Sequence, residues 1–312
     1  MKIGLVVLEI NGNIGLHKQT NKHPLTPNAY TVSVPSWVKM QFHDLINFLV
    51  RQKIRYNTPM NGSYLTGVNL ILIFMNFRTM VLKLYYLEDG PPSLSCRQVL
   101  EALKVPYERV NVKFYNGDHM TEEYGKMNPQ KEIPVLEDDG FFLSESVAII
   151  QYICDKYRPD SPLYPTDPKA RPIVNHRLMF NLSSYYPDLL IMPIYFDYKR
   201  TPEGLKRVHR QLDLFDTYLE RLGTSHAAAA HLTIADFPLI NSTMSLEVID
   251  FDFSQFFNVC QITKWYNDFK KNHPELWSIT EEGIRLMKIC AVNQPDLSHL
   301  NHPLHPARKV AK

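Results

Sequence analysis

The stretch NPQKEIPVLEDDGFFLSESVAI, residues 128–149, decides how the rest of the chain is read. Ile133–Leu136 has the aliphatic character of a strand, Asp138-Asp139-Gly140 is a hairpin turn, and Phe141–Leu143 is a second strand. Pro134 stands at the mouth of the first strand, where a trans proline would disturb the hydrogen-bond ladder. A cis Ile133–Pro134 bond would instead turn the Ile133 backbone outward and offer its N–H and C=O to an extended peptide. Ser144-Glu145-Ser146 then opens a helix, Ser146–Tyr157, in which Ile149, Ile150, Ile153 and Cys154 fall at helical spacing. The free N–H groups at its start and the Ser146 hydroxyl favour a carboxylate, and Lys131 offers a cation to a second one. A ligand with two carboxylates and a peptide core suits these groups. The plainer alternative is that Ser146 only caps its helix and Lys131 is a solvated charge.

Outward from this stretch the signals stay regular. Upstream, Val81–Leu87 (VLKLYYL) reads as a strand, Glu88–Pro92 (EDGPP) as a turn, Cys96–Lys104 as a helix and Tyr107–Val112 as a second strand. The order is β-α-β, a loop holding a helix, then β-β-α. Downstream, Pro159–Lys169 (PDSPLYPTDPK) is a linker, and the chain to about Leu286 reads helical. Residues 231–237, HLTIADF, place Thr233 as a helix N-cap and Asp236 as its partner in a capping box, with Leu232 and Phe237 as the staple.

These signals divide the 312 residues into an extension, 1–79, an α/β domain, 80–158, an all-helical domain, 170–290, and a Pro/His-rich tail, 291–312. The extension carries eight Lys/Arg against two Asp/Glu, and the remainder 26 against 30. Its apolar run Leu65–Phe77 is well short of the ~20 residues that span a bilayer, so no membrane or secretory role is expected of it. With 45% hydrophobic and 21% charged residues the chain can bury a core. A net charge of +2 gives no electrostatic footprint for nucleic acid. The four cysteines, Cys96, Cys154, Cys260 and Cys290, form no CxxC pair and no zinc spacing, which points to a reducing compartment and no metal.

The α/β layer followed by helices, with NPQKEIPVL, ESVAI and HLTIADF in this order, resembles the cytosolic glutathione transferases over about residues 80–290. The pattern is closest to the insect delta, epsilon and theta-like group. The resemblance implies a thioredoxin-like N-terminal domain, an all-α C-terminal domain, a cytoplasmic homodimer, and glutathione as co-substrate with no cofactor. It implies conjugation of the glutathione thiolate to hydrophobic electrophiles, chiefly foreign compounds. It places Ile133, beside Pro134, at the cysteinyl backbone, Glu145 and Ser146 at the γ-glutamyl end, and Lys131 and His119 at the glycyl carboxylate. A serine hydroxyl after the first strand would stabilise the thiolate by donating a hydrogen bond. Counting back from Cys96-Arg97 points to Ser93, with Ser95 as the alternative, the other serine then capping the helix. Tyr185, Tyr186, Tyr195 and Phe196 would line the hydrophobic substrate site. Rival readings are a ligand carrier without turnover, a glutathione-dependent isomerase or peroxidase, and thiol transfer by Cys96 at its helix start. Ala227–Ala230 stand where the family has a glycine turn, and an alanine with positive φ there would cost about 1 kcal/mol.

Overall fold

The computed structural model describes residues 9–11, 13–15, 82–191, 202–249 and 260–292. The chain divides into two units, residues 1–77 and 78–312. In the first, β1 (Glu9–Asn11) and β2 (Asn13–Gly15) form an antiparallel ladder. The remainder of the 1–79 extension lies outside the described residues.

The second unit begins with the α/β layer. Its elements are β3 (Lys83–Tyr86), α1 (Pro91–Ala102), β4 (Glu108–Asn111), α2 (Glu122–Met127), β5 (Val135–Asp138), β6 (Phe141–Ser144) and α3 (Ser146–Tyr157). The sheet order is β4-β3-β5-β6, with β3 parallel to β4 and the other pairs antiparallel. This is the expected β-α-β then β-β-α order. Leu84 and Leu136 are paired across β3 and β5 and meet Val99, Leu100, Ile149 and Ile150 in one core. Asp138 anchors the hairpin to α3: one carboxylate oxygen accepts from Tyr152 (2.9 Å), Lys156 (2.6 Å) and Tyr157 (2.7 Å). Burial alone would raise its pKa, but these donors hold it below the usual carboxylate value.

The helices follow: α4 (Ala170–Phe180), two π-helical turns at Asn181–Tyr185 and Pro187–Ile191, α5 (Pro202–Leu222), α6 (Asp236–Val248), α7 (Cys260–Asn272) and α8 (Pro274–Val292). Helix α6 is buried on every side, all its residues except Glu247, and its buried polar residues Asn241, Ser242, Thr243 and Ser245 are hydrogen-bonded. It packs on α1 and α8, and α8 also packs on α1, so one hydrophobic core runs through both layers.

Two boundaries and a cap differ from the sequence reading. Helix α1 starts at Pro91 and not at Cys96, because Pro91 and Pro92 occupy the first two helical positions, where a missing N–H is harmless and φ is already set. Its N-cap is therefore Gly90, and neither serine takes that role. Helix α8 runs on to Val292, into what reads as tail. The N-cap of α6 is Ala235 and not Thr233: Asp236, the first residue of the helix, accepts the Thr233 N–H (2.9 Å) as expected, but the Thr233 hydroxyl donates to the same oxygen (3.0 Å) and caps no helix N–H. None of Ala227–Ala230 has positive φ; the left-handed residue of this connection is Gly223, at φ 64°.

Gly283 of α8 is where that helix closes on α1. A methyl group there would stand 2.5 Å from Leu94 Cδ1, and Leu94 is fully buried. Gly283→Ala is expected to cost about 1–3 kcal/mol by overpacking, reduced by the better helix propensity of alanine. Urea denaturation checks this, and an unchanged midpoint would show that Leu94 can turn aside.

Candidate functional site

A cleft of about 190 Å³ opens between the start of α1, the β5–β6 hairpin, the π-helical turn Asn181–Tyr185 and helix α6. On the hairpin side it is walled by Ile133, Pro134, Glu145 and Ser146, and the Ile133–Pro134 peptide is cis. Val135 and Ser144 pair across β5 and β6, so the residues just outside that rung, Pro134 and Glu145, are carried to the same end of the hairpin. Glu145 sits at φ 68°, ψ 106°, outside the regions an L-residue prefers. Such a conformation persists only where surrounding structure imposes it, and it is typical of ligand clamps. Ser146 is the first residue of α3, so the helix N–H groups lie beside it.

The two candidate sulfur-binding serines occupy different environments. Ser95, fifth residue of α1, lines the cleft. Its hydroxyl donates to the Pro91 carbonyl (2.8 Å) and accepts from the Asn241 side chain (3.1 Å). Ser93, third residue of α1, is as buried as Ser95 but off the cleft wall; its Oγ accepts the Leu87 N–H at 3.0 Å. Pro91 and Pro92 also border the cleft, so the first turn of α1 offers it carbon at two positions where other helices offer N–H. Cys96 is fully buried, its S–H directed at the Ser146 carbonyl (3.8 Å), and burial pushes its thiol pKa far up. A thiol in that setting is not a redox nucleophile.

Of the remaining expected residues, Lys131 and His119 stand near one another but off the cleft wall. Lys131, at φ 58°, donates to the Met120 carbonyl at 2.6 Å. His119, the neighbour of Met120 in sequence, is buried with its ring stacked on Phe114, centroids 4.6 Å apart. Tyr185 and Tyr186 part company. Tyr185 is a core residue: its ring packs on Phe215 and its hydroxyl meets Thr243 Oγ1 at 2.9 Å. Tyr186 lines the cleft together with Leu182, four residues earlier. Tyr195 and Phe196 lie outside the described residues. The reading from sequence missed Pro238 and Ser242 of α6 and Asn181, which also line the cleft. The spacing of four between Pro238 and Ser242 was the available signal, but a helix buried on all sides gives no face to single out.

A hairpin with a cis proline, a glutamate of strained backbone beside a helix start and a hydroxyl on the facing helix meet at one cleft of the α/β layer. The family model described as "Glutathione S-transferase, N-terminal domain" matches residues 80–155. A curated relative, glutathione S-transferase 1 of Manduca sexta, is 37% identical over 175 residues, which cover 54% of this chain and 79% of the relative. Among solved structures, a diazinon-metabolizing glutathione S-transferase of the silkworm Bombyx mori is 64% identical. The match covers 67% of this chain and all of that one, with a TM-score of 0.63. A delta-class glutathione transferase of Nilaparvata lugens is 30% identical, covering 68% of this chain and 98% of that one, also at TM-score 0.63. The chain belongs to the glutathione S-transferase family, a family of enzymes, and its structural neighbours include insect delta- and epsilon-class members. Among the described residues no helix is long and apolar enough to cross a membrane.

Proposed function

We propose that the cleft holds glutathione and conjugates its thiolate to hydrophobic electrophiles. The observation that carries this reading is the convergence of Ile133, Pro134, Glu145, Ser146 and Ser95 on one cleft. In it the Ile133 backbone meets the cysteinyl amide, and Glu145 with Ser146 receives the γ-glutamyl amine and carboxylate. Lys131 and His119 serve the glycyl carboxylate from the adjacent loop. The diazinon metabolism named for the silkworm relative supports foreign compounds as the electrophiles. The enzyme works in the cytoplasm as a homodimer, and the exposed Phe141 and Phe142 on the outermost strand are apolar surface for an assembly to cover.

The sulfur is held by Ser95, the serine on the cleft wall. A hydrogen bond to the thiolate stabilises the charged form and lowers the thiol pKa toward working pH. To donate it, the Ser95 hydroxyl rotates away from the Pro91 carbonyl while Asn241 keeps hold of its oxygen. Holding both substrates in register supplies the rest of the rate.

The test is conjugation of glutathione to a chromophoric aryl halide by Ser95→Ala and Ser93→Ala across pH. Loss of the donor raises the thiol pKa, so the Ser95→Ala rate should fall about tenfold below pH 7 and recover as pH rises, one pKa unit corresponding to about 1.4 kcal/mol. Ser93→Ala should keep its pH profile and lose about 1 kcal/mol of stability, because the Leu87 N–H is left without its acceptor. A shifted profile in Ser93→Ala alone would transfer the role to Ser93. The Ser95–Pro91 bond also favours a second reading, a carrier of hydrophobic ligands, and an inactive wild type that still binds glutathione would establish it.

A further inference from the structure

The loop that carries His119 is built from two 3₁₀ turns, Phe114–Asn116 and Asp118–Met120, joined at Gly117. Its inner hydrogen bonds are local. The Lys113 N–H meets the Asp118 carboxylate (3.1 Å), and the Gly117 N–H meets the Phe114 carbonyl (2.9 Å). It is tied to the rest of the unit at both ends. At Met120 the Lys131 ammonium donates to the carbonyl. At the other end Tyr115 reaches the last turn of α8, where its hydroxyl meets Cys290 Sγ at 2.9 Å. The Cys290 thiol in turn faces the buried Asp89 carboxylate at 3.9 Å, two residues before α1 begins. Burial pushes the pKa of both the Tyr115 phenol and the Cys290 thiol up, so the pair stays neutral and the contact persists through neutral pH. Ring contacts continue inward from Tyr115. Phe114 meets it edge to face, centroids 5.7 Å apart, and lies flat on the His119 ring at 4.6 Å with an interplanar angle of 10°. Tyr115, Phe114 and His119 form one stack, fixed at its outer end by α8.

We propose that Tyr115, anchored by Cys290, is a positioning residue for glutathione: it holds Phe114, and through it the His119 ring, in place for the glycyl carboxylate. This rests on the transferase reading above. Tyr115 does not touch the ligand; it acts through the stack. A loop made of local turns and left unanchored would have to be ordered by the ligand, and that ordering free energy would subtract from affinity. The anchor is well chosen, because α8 packs on α1, the helix that carries Ser95. The loop that receives the glycyl end and the serine that receives the sulfur are thereby fixed to one packed pair of helices. The separation between the two ends of the bound tripeptide is set before it arrives.

The experiment measures kcat and KM for glutathione and for its glycyl monoethyl ester, with the chromophoric aryl halide held saturating. The proteins are wild type, Tyr115→Phe, Cys290→Ala and Cys290→Ser. Tyr115→Phe keeps both rings and loses only the hydroxyl. It should raise KM for glutathione about fivefold, the scale of one net hydrogen bond, and leave kcat within about twofold. Cys290→Ala should match it. Cys290→Ser keeps a hydrogen-bonding group and should stay within about twofold of wild type. The ester lacks the glycyl charge, so wild type should bind it less well, and Tyr115→Phe should change its KM by less than about twofold. A rise in KM that is equal for thiol and ester, or a fall in kcat alone, would make Tyr115 a packing residue and overturn the inference. An unchanged KM in both Tyr115→Phe and Cys290→Ala would overturn it too. A wild type with equal KM for glutathione and ester would remove His119 from the glycyl end, and the inference with it. A folded wild type inactive with either would sink the transferase reading itself.

Discussion

Replacing Asp236 with alanine is expected to destabilise the protein by about 3–5 kcal/mol, because several buried neutral donors lose their acceptor at about 1–3 kcal/mol each before relaxation. Asp236 is fully buried, and four donors converge on it. Its Oδ1 accepts the Ala227 N–H (2.7 Å) and the Trp265 indole N–H (2.9 Å), and its Oδ2 takes the N–H and hydroxyl of Thr233 (2.9 and 3.0 Å). In the alanine variant all four donors stay buried and unsatisfied. The start of α6 also loses the negative charge that complements its dipole. Asp236→Asn should cost less, because one oxygen survives, yet its NH₂ must then face donors on one side. Urea denaturation at neutral pH decides it. A shift below about 1 kcal/mol for the alanine variant would mean that water enters and satisfies these groups, and that the carboxylate does not hold the connection together.

Asp236 also shows what the sequence could and could not disclose. The Thr233–Asp236 contact was legible, because it depends on spacing of three along the chain. The Trp265 and Ala227 donors were not, because they arrive from elsewhere in the fold. The same division runs through the site. Strand and helix order in the α/β layer followed from periodicity and turn residues, and so did the hairpin that places Ile133 and Glu145. The start of α1 did not, since Pro91-Pro92 is equally good as a turn and as a helix's first two residues. That five-residue difference moves Ser93 and Ser95 from a loop into a helix, where their side chains point in different directions. Tyr185 and Tyr186 are chemically identical and adjacent, and only the π-turn sends one to the core and the other to the cleft. The backbone strain at Glu145 has no sequence signal, since nothing about glutamate announces a positive φ.

Asn241→Ala is expected to destabilise the fold by about 3 kcal/mol and, if Ser95 holds the sulfur as proposed, to disturb catalysis, because the same amide joins the buried network to Ser95. Asn241 is fully buried on α6. Its NH₂ faces Gln98 Oε1 (2.7 Å), the Phe237 carbonyl (2.9 Å) and Ser95 Oγ (3.1 Å), three acceptors for two hydrogens. Its oxygen accepts from Thr280 (2.9 Å), and Gln98 closes the circuit by donating to Thr280 and the Leu276 carbonyl, both at 2.9 Å. The network ties α6 to α1 and α8, and a half-satisfied buried network is worse than an apolar one. Removing the amide leaves Gln98 Oε1 without a described donor and leaves Ser95 held by Pro91 alone. Ser95 would then turn further toward Pro91, so the thiol pKa should rise and the rate at low pH should fall, as in Ser95→Ala. A double-mutant cycle separates the two roles. The activity losses of Asn241→Ala and Ser95→Ala should be strongly non-additive, since both act through one hydroxyl, while Asp236→Ala and Ser95→Ala should add. If the Asn241 and Ser95 losses add fully, the amide does not position the serine, and the network serves stability alone.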